Sequence, residues 1–173
     1  MSEKWKSEIN EVLRDSGVPS TQEITIVVLS HRSETTIWHR LELFCQVFTR
    51  QFTRAYPSVC INWQMACLPL VGEDDVVPDI ASAHILLMIV SVECLLELHQ
   101  LPPLYAVLAF SPHMPHRAAI VARSAPLGNE QFRFAAQFPT DAPSLALCQE
   151  DDEVYTEVTK KIWDWARSIS KCL

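Results

Sequence analysis

The sequence predicts an α/β fold, a three-layer sandwich in which helices cover both faces of a five-stranded parallel sheet. Two observations carry this prediction. Apolar runs of strand length alternate with segments of helical periodicity five times along the chain, which is typical of parallel α/β proteins. The runs at 24–29 and 84–90 are also apolar almost throughout, as expected for strands that are covered on both faces.

The first strand and helix occupy residues 24–52. Residues 24–29 are rich in β-branched side chains and predict a strand, and a polar loop follows at 30–34. Apolar side chains then recur at spacings of three and four, which predicts a long amphipathic helix. These side chains are Ile37, Leu41, Phe44, Cys45, Phe48 and Phe52. Pro57 breaks the chain after this helix, and residues 59–63 predict the second strand.

The third strand, at 84–90, is the most apolar of all, and we place it at the centre of the sheet. A loop at 68–75 precedes it, followed by a short helix for which Asp74 or Asp75 is a suitable cap. A further helix is predicted at 102–110, because proline is tolerated in the first turn of a helix.

The last third of the chain predicts two more strands, at 118–123 and 144–147, with a short helix at 130–138 between them. A C-terminal amphipathic helix follows an acidic segment that favours a helix start. Its apolar positions are Val154, Val158, Ile162, Trp165 and Ile169. Right-handed crossovers between five such strands favour the flavodoxin-like strand order 2-1-3-4-5.

The first twenty residues predict a short amphipathic helix that packs on the main domain. Apolar residues share one helical face there, namely Trp5, Ile9 and either Val12 or Leu13. Gly17 and Pro19 end this helix. We therefore divide the chain into an N-terminal appendage helix, 1–20, and one α/β domain, 21–173.

The composition argues against several functional classes. The 173 residues carry a formal net charge of −7, so the basic surplus of a nucleic-acid-binding protein is missing. The three glycines are far apart, which excludes a glycine-rich phosphate loop. The six cysteines lack metal-site spacing and predict free buried thiols. No apolar run approaches the ~20 residues that span a bilayer, and no apolar leader is present. We expect a cytoplasmic protein without a metal, nucleic-acid or membrane partner.

Ligands of open parallel sheets bind beyond the carboxyl ends of the strands, at the point where the strand order reverses. This rule predicts a ligand site beside the first and third strands. The candidate ligand-binding residues are Ser30, His31, Arg32, Trp63 and Ser91. Trp63, at the end of the predicted second strand, either packs against the domain or stacks on a base.

Glu93 and Glu97 follow the central strand, close to the predicted ligand site. A carboxylate there can orient a ribose hydroxyl or stabilise an oxocarbenium-like charge. The alternative, which we favour, is that both carboxylates are exposed on a loop before the helix at 102–110.

The loop after the second strand is a candidate protein interface. Its apolar residues lie outside any periodic element, and an apolar surface loop loses free energy in water unless something covers it. An acidic patch follows, which suits an arginine-bearing partner surface. The candidate interface residues are Leu68, Leu70, Val71, Glu73, Asp74 and Asp75. The alternative is that the apolar side chains fold back onto the domain.

Several sequence features occur in an order that resembles the bacterial branch of the Toll/interleukin-1 receptor-like (TIR-like) family. They span about residues 22–170. In chain order they are Ser30-His-Arg-Ser-Glu34 after the first strand, Ile61-Asn-Trp63, the Pro/Gly-containing loop 68–73, Ile80 to Ser91 around the third strand, Arg123, Phe132 to Phe138, Pro139, and Asp151-Asp-Glu153. His84 stands where the family prefers aspartate.

The resemblance implies a domain that assembles with like domains through the loop after strand two. Enzymatic members cleave NAD with a glutamate in the helix after strand three, a position that falls near Pro103 or Leu104 here. We therefore expect a non-catalytic adaptor module of a bacterial immunity or signalling system, without a cofactor. Its expected partner is a protein with a TIR-like or effector-associated domain, or a second copy. The alternative is an NAD-cleaving or nucleotide-sensing TIR-like protein in which Glu97 or Glu93 is catalytic. A stand-alone flavodoxin-like ligand binder is a third hypothesis.

Overall fold

The computed structural model describes most of the α/β domain. The described residues are 22–69, 80–102, 105, 108, 116–123, 134–141, 144–147 and 151–172. The strands are β1 (Gln22–His31), β2 (Val59–Leu68), β3 (Ile85–Val90), β4 (His116–Val121) and β5 (Ala136–Phe138), and the helices are α1 (Thr35–Ala55), α2 (Val92–His99) and α3 (Asp151–Cys172). All strand pairs are parallel and the order is β2-β1-β3-β4-β5, which confirms the predicted topology.

The central strand β3 is fully buried along its whole length, as its uninterrupted apolar sequence predicts. Its side chains alternate between two apolar clusters, because successive residues of a strand point to opposite faces. Ile85, Leu87 and Ile89 belong to one cluster, and Leu86, Met88 and Val90 to the other. Helices therefore pack on both sides of this strand.

Helices α1 and α3 share the first face of the sheet. They cover alternate residues of β1, including Ile24 and Ile26, and they contact each other through aromatic rings. The ring centroids of Phe44 and Tyr155 are 5.5 Å apart, and those of Phe52 and Trp163 are 5.0 Å apart. The second face is covered by α2, which packs on Val27 and Leu29 of β1 through the residues Cys94, Leu95 and Leu98.

The edge strand β5 corrects two predictions. Residues 136–138 pair with β4, so the helix predicted at 130–138 is wrong over these residues. Residues 145–147 form a 3-10 turn rather than the fifth strand, although Leu145 is buried in the first-face cluster. A three-residue edge strand that ends at Pro139 is too short to show an alternating pattern in sequence.

The sequence does not predict helix α2, because the proline pair at 102–103 indicates a helix start ten residues after Val92, where α2 begins. The chain instead enters a helix directly after β3. The Ser91 hydroxyl caps it by accepting a hydrogen bond from the Cys94 N–H at 3.2 Å. Glu93 and Glu97 thus lie on a helix rather than on a loop.

Several predictions fall outside the described residues. These are the N-terminal helix at 1–20, most of the helix at 102–110, and the part of the short helix before Ile80, where the structure describes only a 3-10 turn at Ile80–Ser82. Within the described ranges, none of the helices combines the length and the apolar character that crossing a bilayer requires.

Candidate functional site

Polar side chains converge at the carboxyl edge of the sheet, where β1 connects towards β2 and β3 towards β4. They come from the turn after β1, from the junction between β3 and α2, and from the segment after β4. We call them the edge cluster, which consists of His31, Ser33, Glu34, Ser91, Glu93 and Arg123.

The turn after β1 is fixed by His31, which has an extended backbone and caps a 3-10 turn at Arg32–Glu34. Its Nδ1 accepts a hydrogen bond from the Ser33 N–H at 3.1 Å. A neutral His31 ring therefore carries its proton on Nε2, at the half-buried edge of the site. The Ser33 hydroxyl lies 2.8 Å from the same Nδ1 and 3.1 Å from Oε1 of Glu34. This turn orients both the imidazole and the carboxylate.

Glu34 is a buried carboxylate, with only 3% of the residue exposed. Its Oε1 lies 3.8 Å from Nε of Arg123, whose side chain is mostly exposed. A buried charge is costly unless it is paired and hydrogen-bonded, and Ser33 and Arg123 provide both. The pair therefore places the guanidinium of Arg123 near the carboxyl ends of the strands.

Glu93 lies in the first turn of α2, where a negative charge is favourable. Its pKa is lowered, first by a hydrogen bond from its own backbone N–H and then by one from the Ser91 hydroxyl. The charges of Arg123 and His31 act in the same direction. Glu93 is consequently ionised at neutral pH and presents a fixed acceptor at the edge of the sheet.

The Cys94 thiol beside the edge cluster is unreactive. Burial raises the pKa of Cys94 to about 12, and the nearby Glu34 charge adds to this shift. Cys94 is therefore a neutral thiol at physiological pH, which makes it a poor nucleophile and a poor metal ligand. Among the residues that the structure describes, no group of three or more His, Cys, Asp or Glu side chains is placed to hold a metal ion.

The predicted ligand-binding residues divide into two groups. Ser30, His31, Arg32 and Ser91 lie at the carboxyl edge, as predicted. Ser30 and Ser91 are buried, however, and their hydroxyls serve local contacts. Ser30 donates to Sγ of Cys67 at 3.9 Å, and Ser91 caps α2. Of these four residues, His31 and the exposed Arg32 are the ones that a ligand can reach.

Trp63 does not belong to the edge. The prediction that it ends β2 is wrong, since the strand continues to Leu68 and Trp63 pairs with Ile26 in its middle. Its Nε1 donates to Oγ1 of Thr49 at 2.9 Å, and its ring packs edge-on against Phe48. Of the two alternatives for this residue, packing is therefore the one found.

Glu34 and Arg123 are the charged members of the edge cluster that the sequence analysis did not name as candidate site residues. Both lie within three residues of the carboxyl ends of β1 and β4, and both occur among the sequence features that resemble the TIR-like family. Glu97 lies one helical turn beyond Glu93 on α2 and is half-buried, like Glu93 itself.

The predicted interface loop is described only at its start. Leu68 is the last residue of β2 and is fully buried in the second-face cluster, so its assignment to an interface is wrong. Leu70, Val71, Glu73, Asp74 and Asp75 lie outside the described residues, as do Pro103 and Leu104, where the family's catalytic glutamate would align.

Four large apolar side chains of the described structure are exposed, and they form two pairs on different helices. Val92 and Leu96 of α2 are 43% and 58% exposed, and we call them the α2 patch. Leu43 and Val47 of α1 are 61% and 54% exposed, and we call them the α1 patch. Because α1 and α2 cover opposite faces of the sheet, the two patches lie on opposite sides of the domain.

No protein-family model, curated protein or solved structure matches this chain.

Proposed function

We propose that this chain is a non-catalytic TIR-like interaction module, an adaptor in a cytoplasmic bacterial immunity or signalling system that assembles through the outer surface of α2. The observation that carries this proposal is the α2 patch. Val92 and Leu96 are four residues apart and therefore lie side by side on one helical face. The opposite face of α2 is already buried through Cys94, Leu95 and Leu98.

An outward-facing helical stripe on a surface helix is normally polar. Two large apolar residues there are therefore unusual in an eight-residue helix. Covering them with a partner recovers about 25 cal/mol for each Å² of apolar surface removed from water. The charged Glu93 and Arg123 lie beside this patch and supply the polar rim that is typical of protein interfaces.

The predicted assembly loop starts at Leu68, and Ile80 follows it in sequence. Both of these residues bury their side chains in the apolar cluster that α2 covers. The acidic residues of the loop would select an oppositely charged face on a TIR-like or effector-associated partner, or on a second copy.

A detail at the start of β3 also supports the TIR-like assignment. His84 occupies the position where the family prefers aspartate, and its Nδ1 accepts a hydrogen bond from the Thr25 N–H at 3.1 Å. An aspartate oxygen can accept the same bond. Histidine in place of aspartate at position 84 therefore still provides a hydrogen-bond acceptor for β1 at the start of β3.

Light scattering over a range of protein concentrations tests the proposal. We expect the wild-type chain to self-associate and Leu96→Asp to weaken self-association at least about tenfold, because a charge in a desolvated contact is costly. Val92→Asp should weaken self-association in the same way. Its matched control is Val47→Asp, which changes a valine of similar exposure on the opposite face and should leave self-association through α2 unchanged. Wild-type protein that stays monomeric at every concentration would contradict homotypic assembly, and so would full association of Leu96→Asp with an unchanged melting curve.

A second function, cleavage or sensing of NAD, is favoured by one specific observation. The ionised Glu93 stands at the carboxyl end of β3, where a nucleotide's ribose hydroxyls would lie in an open parallel sheet. Incubating concentrated protein with NAD separates the two functions. The adaptor function predicts no nicotinamide release, whereas release that is abolished by Glu93→Gln and retained by Glu97→Gln would favour the enzyme.

A further inference from the structure

A groove runs along the outside of the first face, between α1 and α3. Its volume is about 590 Å³, and its walls are mainly apolar. The α1 patch forms one wall, and Phe44, Phe48 and Trp163 form the floor and the opposite side, with Lys160 at the rim.

The groove shares residues such as Phe48 with the core, but it opens on the outer surface of the helices. Helix α1 already faces the sheet with residues such as Leu41 and Phe52, and the stripe that carries Leu43 and Val47 is a second apolar face beside the first. The Phe48 ring lies edge-on to Trp163 at a centroid distance of 6.0 Å, which closes the bottom of the groove. An apolar surface of this shape is normally covered in a stable protein.

A series of contacts links the point where the chain enters the described structure to Trp163, which lines this groove. Gln22, the first residue of β1, pairs with Val59 of β2. The Val59 N–H in turn donates to the Tyr56 carbonyl oxygen at 3.0 Å. The ring of Tyr56 then lies 6.3 Å from that of Trp163, which lines the groove. Residues that precede Gln22 therefore start from the end of the groove marked by Trp163.

We propose that residues 3–14 of the same chain occupy this groove as an amphipathic helix. The apolar face predicted for this segment, with Trp5 and Ile9 at its centre, would cover the α1 patch. Glu8 lies beside Ile9 in sequence and is a suitable partner for Lys160 at the rim.

The dimensions agree with this placement. A twelve-residue helix is ~18 Å long, and the stretch of α1 from Leu43 to Gln51 extends ~12 Å. The connecting residues 15–21 span at most ~25 Å when extended, enough to turn back along the groove. The proposal is independent of the adaptor function, because the α2 patch lies on the other face of the sheet and stays accessible.

Hydrogen exchange of the full chain, followed by mass spectrometry, tests the proposal. An isolated helix of this length is marginal in water, so slow exchange in residues 5–13 requires tertiary contacts. We expect these amides to exchange at least about tenfold more slowly than in the free peptide 1–21. Trp5→Asp and Val47→Asp should remove the protection, while Leu96→Asp should keep it. Trp5→Asp lies outside the domain, so its result does not depend on the folding of α1.

Three outcomes would overturn the proposal. The first is exchange of residues 5–13 at the rate of the free peptide. The second is protection that Val47→Asp leaves unchanged, since the segment would then be docked elsewhere. The third is protection that disappears on dilution, which would place the segment of one copy in the groove of another. Loss of self-association in Leu96→Asp with unchanged exchange in residues 5–13 would confirm that the two surfaces act separately.

Discussion

Truncating one side chain of the central strand tests how tightly the sheet is packed between its helices. Leu87 is fully buried in β3 and packs in the cluster between the sheet and helices α1 and α3. Leu87→Ala removes three carbon atoms, and at ~0.8 kcal/mol per buried CH₂ group the lost transfer free energy alone is about 2.4 kcal/mol. The cavity adds to this loss, because β3 is held by ladders to both β1 and β4 and cannot move into the space.

We therefore expect Leu87→Ala to lower the free energy of unfolding by about 3–4 kcal/mol, in the middle of the usual range for buried leucines. The matched control is Leu96→Ala, which truncates an exposed leucine and should change stability by less than ~0.5 kcal/mol. Urea unfolding followed by circular dichroism, at concentrations below self-association, measures both values. A loss below about 1 kcal/mol for Leu87→Ala, or equal losses for the two variants, would refute a central strand packed on both faces.

Three further predictions concern individual side chains. Trp63→Phe should lower the free energy of unfolding by about 1 kcal/mol through loss of the bond to Thr49, and a smaller loss in a Thr49→Val background would confirm this coupling. Burial first, and the Lys161 charge second, lower the pKa of His116 below its ordinary value of 6.5. The unfolded chain therefore binds more protons than the folded one, so the free energy of unfolding should fall as the pH drops through 6.5. Urea unfolding at a series of pH values should show a smaller fall for His116→Gln. Iodoacetamide at pH 8 should leave Cys94 unmodified in the native protein and label it only on unfolding, as peptide mass spectrometry can check, because the pKa of its buried thiol is about 12.

The sequence predicts best the elements whose apolar pattern follows directly from which side chains are buried. Residues 84–90 and 37–52 have uninterrupted apolar periodicity, and both appear in the structure close to the predicted bounds. β2 was predicted too short because it is an edge strand, where half-buried and buried residues mix beyond Trp63. β5 has only three residues, so its pairing with β4 decides its conformation more than its own sequence does.

The candidate site was predictable in position but not in detail. The rule for open parallel sheets places His31 and Ser91 at one edge from sequence alone. It gives no information on burial, so it cannot distinguish the inward Glu34 from the outward Arg32 two residues earlier. The contact between Glu34 and Arg123 joins residues that are distant in sequence, and it exists only once β1, β3 and β4 lie side by side.

The junction between β3 and α2 has a mechanical consequence. A single residue, Ser91, separates the most buried strand from the helix that carries Val92 and Leu96, and its hydroxyl bonds to the helix on both the Cys94 and the Glu93 side. Because the connection is only one residue long, the central strand of the sheet holds α2 in place. A protein that binds α2 would therefore contact a surface that is already ordered. Docking there requires little ordering of the chain, which lowers the free-energy cost of binding. The short connection also leaves no hinge at this point, so under the proposed adaptor function α2 would act by bringing molecules together rather than by bending one of them.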